Sequence, residues 1–353
     1  LVEAIRATQA GDRATLERYY SPDFQGTPAD WSLRLTPREP EFARYLTAIV
    51  IRGHAARIDS VVAGRPVHFH SSDEARDRQA AADLAECYRL AGFGHVRFLH
   101  EPEAAALAAG PEEGIGLIVD IGGGTSDFTL FRRAGAGIKI LGSHGIRIGG
   151  TDFDRMLNLA HAMPLLGLGG ELKNELGPGR NDVPPALFLD LASWEKIAFV
   201  YGPDALRDAK RMARLAVTPD RLKRLVTVLE MELGHDIAFA VEAAKIAANR
   251  DGQGEIQLDP VQKGLRPLVG QPELLAALWP MASRIGAAAK ETLTMAGLEA
   301  DQVSRVIFVG GSSLVQVIDQ LMRATFPMAR FEYSEVFTAV VDGLAIAAGD
   351  DAA

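Results

Sequence analysis

Gly116-Leu117-Ile118-Val119-Asp120-Ile121-Gly122-Gly123-Gly124-Thr125-Ser126-Asp127-Phe128-Thr129-Leu130 is an apolar run that ends in an acid, then three glycines, a hydroxyl and a second apolar run. Leu117 to Val119 are too few and too branched for a free-standing helix. With Asp127 to Phe131 they predict two strands joined by a tight glycine turn. Three consecutive glycines cost backbone entropy, so they suit a place where the chain takes positive φ or lets a ligand approach the bare backbone. Phosphate is such a ligand. Successive N–H groups form an anion nest, Thr125 adds a hydroxyl, and Asp120 and Asp127 are placed to order Mg²⁺ through its waters. An isolated turn of this composition also serves as an ordinary hairpin, so the weight rests on what surrounds it.

Three other stretches supply that weight. Phe98-Leu99-His100-Glu101-Pro102-Glu103-Ala104-Ala105-Ala106-Leu107-Ala108-Ala109-Gly110 places an acid before a proline at the start of an alanine-rich helix. Gly149-Gly150-Thr151-Asp152-Phe153-Asp154 is a glycine turn opening a helix. Val306-Ile307-Phe308-Val309-Gly310-Gly311-Ser312-Ser313 is a buried strand that breaks into a glycine-serine turn. In this order and spacing the four stretches resemble the ATPase domain of the seventy-kilodalton heat-shock protein (DnaK-type) chaperones, within the actin-like ATPase superfamily. Gly64 to Phe69, Asp73-Glu74-Ala75 and Met163 to Glu171 resemble its YegD-like branch. The resemblance extends over residues 60–349.

The resemblance implies an α/β chain with the actin-like ATPase fold, two lobes with mixed sheets flanked by helices around a nucleotide cleft. Residues 1–110 would form lobe I, without the family's N-terminal phosphate loop, and residues 111–353 lobe II, with a last helix over 335–348 returning towards lobe I. The cofactors implied are ATP or ADP and Mg²⁺. Gly122, Gly123, Gly124 and Thr125 would surround the β- and γ-phosphates, and Gly149 and Gly150 would close the phosphate side. Glu101, Asp120 and Thr125 would be catalytic, the two acids holding Mg²⁺ through water and orienting the attacking water. Glu242 and Lys245 would meet the ribose and Asn249 the base. Gly310, Gly311 and Ser312 would pass under the sugar and α-phosphate, with Leu314 against the adenine.

Three departures from the family pattern qualify this. Its aspartate-glycine-threonine hairpin is not found before Gly53, and no matching catalytic lysine follows. Leu314 stands where an arginine usually stacks on adenine, and Ile246 replaces a second basic residue. The β-rich peptide-binding domain of such chaperones is not found among these residues. Two readings follow: the ATPase domain of a DnaK-like chaperone that hydrolyses ATP, or a non-catalytic nucleotide-binding or protein-interaction module of the same fold. The implied partners are nucleotide and client or co-chaperone proteins.

Composition sets outer bounds. At 353 residues the chain exceeds the usual size of one core. With 48% hydrophobic and 24% charged residues it reads as globular. A formal charge of −9 argues against a nucleic-acid or anionic-membrane binder, since both require a basic surface. No apolar run approaches the roughly 20 residues that span a bilayer. The single Cys87 allows no internal disulfide, which agrees with a cytoplasmic location.

Elsewhere the pattern predicts helices within residues 1–56, strands at Val61-Val62 and Val67-His68-Phe69, and a helix from a capping box at Ser71 to Glu74 as far as Gly92. His68 and His70 share a strand face but have no third metal ligand nearby. Strands are expected at Val96–Leu99, Ile138–Leu141, Gln253–Leu258 and Ser304–Val309, and helices at Asp152–Ala162, Pro272–Met295 and Glu335–Ala348. One long helical region is expected from Thr218-Pro219 to Asn249, and a loop from Leu166 to Pro185.

Overall fold

The computed structural model describes residues 60–67, 69, 74–90, 93–135, 137–333 and 339–350. The helices expected within residues 1–56, the His68/His70 pair and the capping box at Ser71 to Asp73 lie outside the described residues. In chain order the principal elements are β1 (Ser60–Arg65), α1 (Glu74–Leu90), β2 (His95–His100), α2 (Glu101–Ala108), β3 (Gly114–Ile121), β4 (Ser126–Ala134) and β5 (Gly137–Ile146). They continue with α3 (Gly150–Leu157), α4 (Met163–Leu166), β6 (Glu171–Lys173), β7 (Arg180–Asp182), α5 (Ala186–Leu191), α6 (Pro203–Leu215), α7 (Pro219–Glu230) and α8 (Gly234–Asp251). The last are β8 (Gln253–Glu255), β9 (Leu268–Gly270), α9 (Gln271–Ala296), β10 (Val303–Val309), α10 (Gln316–Thr325), β11 (Arg330–Tyr333) and α11 (Ala339–Asp350). The chain is mixed α/β and divides into two compact units. One comprises Leu1–Glu113, Arg133–Lys139 and Phe337–Ala353, the other Gly114–Arg132 and Ile140–Val336.

In the first unit β1 and β2 pair in parallel from Ser60↔His95 to Arg65↔His100. Ala63, Leu84, Tyr88 and Phe93 form a small core against α1. β1 stops at Arg65 because Pro66 has no N–H for a ladder. The strand expected at Val67-His68-Phe69 is therefore not formed at Val67 and Phe69, which are bends. The Phe69 N–H instead donates to Asp77 at 2.6 Å. Pro102 sits in the first turn of α2, where its missing N–H costs nothing. α2 crosses α11 closely, and a Cβ on Gly343 would collide with the Ala104 carbonyl, its Cα lying 2.8 Å away. A helical Gly→Ala exchange normally gains about 1 kcal/mol. Here the sign reverses: Gly343→Ala is expected to destabilise this unit by roughly 2 kcal/mol or more, read as faster proteolysis of α11 and a lower melting temperature.

The second unit is built on a five-stranded sheet of order β11-β10-β3-β4-β5. β10 pairs in parallel with both β11 and β3, while β3 and β4 are neighbours joined by only four residues, which requires a hairpin. Leu117, Val119 and Ile121 of β3 and Phe128 and Leu130 of β4 are fully buried with Phe153, Phe188 and Phe308. That is why the two apolar runs read as continuous rather than alternating.

Two expectations need correction in this unit and a third is refined. The expected helix Asp152–Ala162 is longer and irregular: α3 passes through a π turn at Asn158–Ala162 into α4, ended by left-handed Gly167 (φ 119°). The loop expected at Leu166 to Pro185 contains a hairpin, β6 with β7. Its strands have three residues each, and Arg180-Asn181-Asp182 is wholly polar, so no alternation marks them. The helical region expected over Thr218 to Asn249 is present as two helices, α7 and α8, divided where Glu232 takes φ 56°. α9 and β10 fall where expected, and Gly297 (φ 66°) ends α9.

Candidate functional site

β3 and β10 run in parallel with Phe308 opposite Val119 and Val309 opposite Asp120, so both reach the same edge of the sheet. Beyond that edge each breaks into glycines. In open α/β sheets the carboxyl ends of parallel strands are where ligands bind. Gly310 has φ 83°, and a Cβ there would lie 2.6 Å from Ile121 O and 2.8 Å from Asp120 Oδ1. Only glycine lets the two strand ends meet. The buried Ser313 closes the second turn by donating to Gly310 O at 2.6 Å.

The first turn is closed by the Gly122 N–H donating to Thr125 O at 2.9 Å. Its carbonyls are fixed by the start of α3: Gly150 N–H donates to Gly122 O at 3.0 Å and Thr151 N–H to Gly123 O at 2.8 Å. Thr151 Oγ1 adds a 2.9 Å bond to the same Gly123 O. Gly149 caps α3 reciprocally with Asp152, whose Oδ2 accepts from Gly149 N–H at 3.0 Å. With the carbonyls drawn inward, the outer face of the turn is bare. A Cβ on Gly123 or Gly124 meets nothing within 4 Å. A Cβ on Gly150 would collide with Ser312 Oγ, so the 122–125, 149–151 and 310–313 turns converge on one locus.

Charge at this locus is acidic. Burial, and then the neighbouring Asp127 carboxylate, push Asp120 up to about 6. Asp127 is also raised by burial, opposed by a hydrogen bond with Thr125 and by nearby His144. His144 Nε2 lies 3.5 Å from Glu291 of α9. Two carboxylates raised by burial, one of them also by its neighbour, are what an added cation would relieve. Among the described residues no three His, Cys, Asp or Glu are grouped to cage a metal.

The remaining expected residues lie as follows. Lys245 is 7% exposed and pairs at 2.7 Å with Asp154 of α3, so it does not form the solvated pair with Glu242 that the spacing alone suggests. Burial raises Asp154, opposed by Lys245. Glu242 and Ile246 are exposed, four residues apart on one face of α8. Asn249 Oδ1 accepts from the Gln316 N–H at 2.8 Å. Leu314 ends the 3-10 turn Gly311–Leu314. Glu101 is the first residue of α2 in the other unit. Thr151, Asp154 and Gln316 had no assigned role from sequence. The first two lie inside the quoted 149–154 stretch, whereas no local signal marks Gln316.

Residues 46–163 match the family described as Hsp70 protein. That span holds Glu101, Asp120, the 122–125 turn and the Gly149-Gly150 turn. The chaperone protein HscA of Escherichia coli O7:K1 (strain IAI39) is 28% identical over 284 residues, 79% of this chain and 35% of that protein. HscA of Escherichia coli K12 (strain DH10B) matches to the same extent. The chain is thus similar to Hsp70-type proteins, by the family match over residues 46–163 and by distant likeness over 79% of its length. It spans about a third of the length of the curated relatives it matches. Residues 1–88 also match a family described as outer membrane lipoprotein carrier protein LolA-like, overlapping the Hsp70 match from residue 46. Among the described residues no helix is long and apolar enough to cross a membrane.

Proposed function

We propose that this chain is the nucleotide-binding part of an Hsp70-type chaperone, of the YegD-like branch, and that it takes ATP or ADP at the carboxyl edge of β3 and β10. The observation that carries the reading is the convergence of three glycine turns beside Asp120, one of them with its backbone bare. The turn at Gly122 to Thr125 would receive the β- and γ-phosphates on its N–H groups, beside the start of α3. Gly310 to Ser312 would receive the sugar and α-phosphate, and Glu242, Lys245, Asn249 and Leu314 the nucleoside.

Mg²⁺ fits the acid pair, which would hold it through water as that ion prefers. When bound it would neutralise phosphate charge. Asp120 would orient water, with Glu101 as the second acid, and Thr125 Oγ1 would donate to the transferring group. In the parent protein the actin-like lobes would close on nucleotide, and client or co-chaperone proteins would be the partners. The single Cys87 supports the cytoplasm, whereas the match of residues 1–88 to a family described as outer membrane lipoprotein carrier protein LolA-like favours an envelope location for that segment. Cell fractionation of the parent protein distinguishes these.

Calorimetric titration of ADP with and without Mg²⁺ into the 353-residue chain tests the reading. Saturable, Mg²⁺-enhanced binding is expected, and no heat at millimolar nucleotide would overturn it. Hydrolysis by this chain is expected to be very slow, because the aspartate-glycine-threonine hairpin that would line the other side of the γ-phosphate is not found in the sequence before Gly53, and each lost donor set costs about a hundredfold. A phosphate-release assay checks this, with Asp120→Asn as the background. Robust turnover abolished by that change would overturn the slow-turnover expectation.

A further inference from the structure

We infer that Gln316 is a positioning residue that fixes the Gly310–Val315 turn against the ends of α8 and α9, and with it one wall of the candidate site. Its main-chain N–H donates to Asn249 Oδ1 at 2.8 Å, and its Nε2 donates to Asn249 O at 3.0 Å. Its Oε1 accepts from Gln271 Nε2. Asn249 lies in the last turn of α8, Gln271 is the first residue of α9, and Gln316 is the first residue of α10.

Helix ends leave backbone groups without intrahelical partners. Here the orphan carbonyl of Asn249 and the orphan N–H of Gln316 are satisfied across the same pair of residues. Gln271 N–H adds a further link by donating to Gly252 O at 2.9 Å. Three helix termini are thereby locked through one carboxamide.

The turn that Gln316 follows has few bonds of its own. Val315 N–H reaches Ser312 O only at 3.5 Å, and the Ser313 bonds both return to Gly310. Gly310 lies close against the end of β3 at the front of the turn, and Gln316 ties its back to α8 and α9. Ser312 lies where a Cβ on Gly150 would strike it, so movement of this turn changes the spacing at the locus. Gln316 touches none of the candidate phosphate-binding groups in these contacts and acts through the turn. Only the expected effect on affinity rests on the nucleotide reading.

The test uses the full chain and two readouts. Hydrogen exchange without ligand is expected to be about tenfold or more faster at the Gly311 to Gln316 amides in Gln316→Ala, with β6 and β7 unchanged. ADP affinity is expected to fall about five- to twentyfold, the size of one or two lost hydrogen bonds. Gln316→Ala removes the carboxamide bonds to Asn249 O and Gln271 but keeps the main-chain N–H to Asn249 Oδ1, which Asn249→Ala removes, so the double variant should exchange faster at the turn than either single one. Gln271→Ala, which removes only the outer bond, should show a smaller effect of the same sign and guards against misfolding of the others. Unchanged turn exchange in folded Gln316→Ala overturns the inference. So does a lower melting temperature with ADP affinity retained, the mark of a merely structural residue. If the wild type binds no ADP, the nucleotide reading fails by itself and the exchange data still decide the positioning role.

Discussion

Asp120→Asn is expected to raise the melting temperature at pH 7.5 while removing the Mg²⁺-dependent part of nucleotide binding. Asp120 titrates at about 6 in the folded protein because it is buried next to Asp127. In the unfolded chain an aspartate titrates near 4. Between those values the folded state holds a proton that the unfolded state has released, so stability falls as pH rises across the window. Above it, the folded protein carries a penalty on the order of 2 kcal/mol. Asparagine removes that penalty, and for a unit of this size the melting temperature should rise by roughly 4–8 °C. The advantage should shrink as pH falls from about 6 and vanish below about pH 4. Thermal scans across that range check the sign. An Asn variant equal to or less stable than wild type at pH 7.5 would show that Asp120 is not strained by its surroundings. Calorimetry should show the other half of the exchange: ADP alone bound similarly by both proteins, but Mg²⁺ enhancing only the wild type, since a neutral amide orders metal-bound water weakly.

The same residue shows why part of the site was legible in the sequence. Asp120 and Gly122 to Thr125 are contiguous, so local rules sufficed: a short branched run, an acid, and glycines where the chain turns. Gly310 was legible for the same reason, although its need to clear Asp120 and Ile121 appears only once β10 lies beside β3. Lys245 shows the limit. Three residues from Glu242 it reads as a surface pair, yet its partner is Asp154, 91 positions earlier, and burial decides the choice. Gln316 carries no signal because its role depends on three helix termini meeting. The β6–β7 hairpin was missed for a different reason. Gly177-Pro178-Gly179 punctuates the chain there, but strands of three residues, Glu171-Leu172-Lys173 and Arg180-Asn181-Asp182, are too short to give a period to count.

Gly149→Ala and Gly124→Ala, compared side by side, should separate the architecture of the phosphate turn from its use. Gly149 has φ −153°, an extended conformation open to any residue, so backbone strain does not enter. What forbids a side chain is contact: its Cβ would lie 2.6 Å from Gly123 C and O and from Gly124 N. Those atoms are backbone and cannot rotate away. The turn must move, stretching the bonds from Gly150 N–H to Gly122 O and from Thr151 N–H to Gly123 O. Overpacking of this kind costs about 1–3 kcal/mol, so Gly149→Ala should melt lower. It should also lose about a hundredfold or more in ADP affinity, as expected when preorganised donors are displaced. Gly124 is the opposite case. Its Cβ would meet nothing within 4 Å, and its φ is not positive, so Gly124→Ala should melt with the wild type. The added methyl nonetheless stands on the bare face of the turn, where phosphate would approach the backbone. If that face holds the nucleotide, Gly124→Ala loses affinity with its stability intact, a combination that disturbed folding does not produce. Wild-type ADP affinity in Gly124→Ala would place the ligand elsewhere and remove the turn from the site.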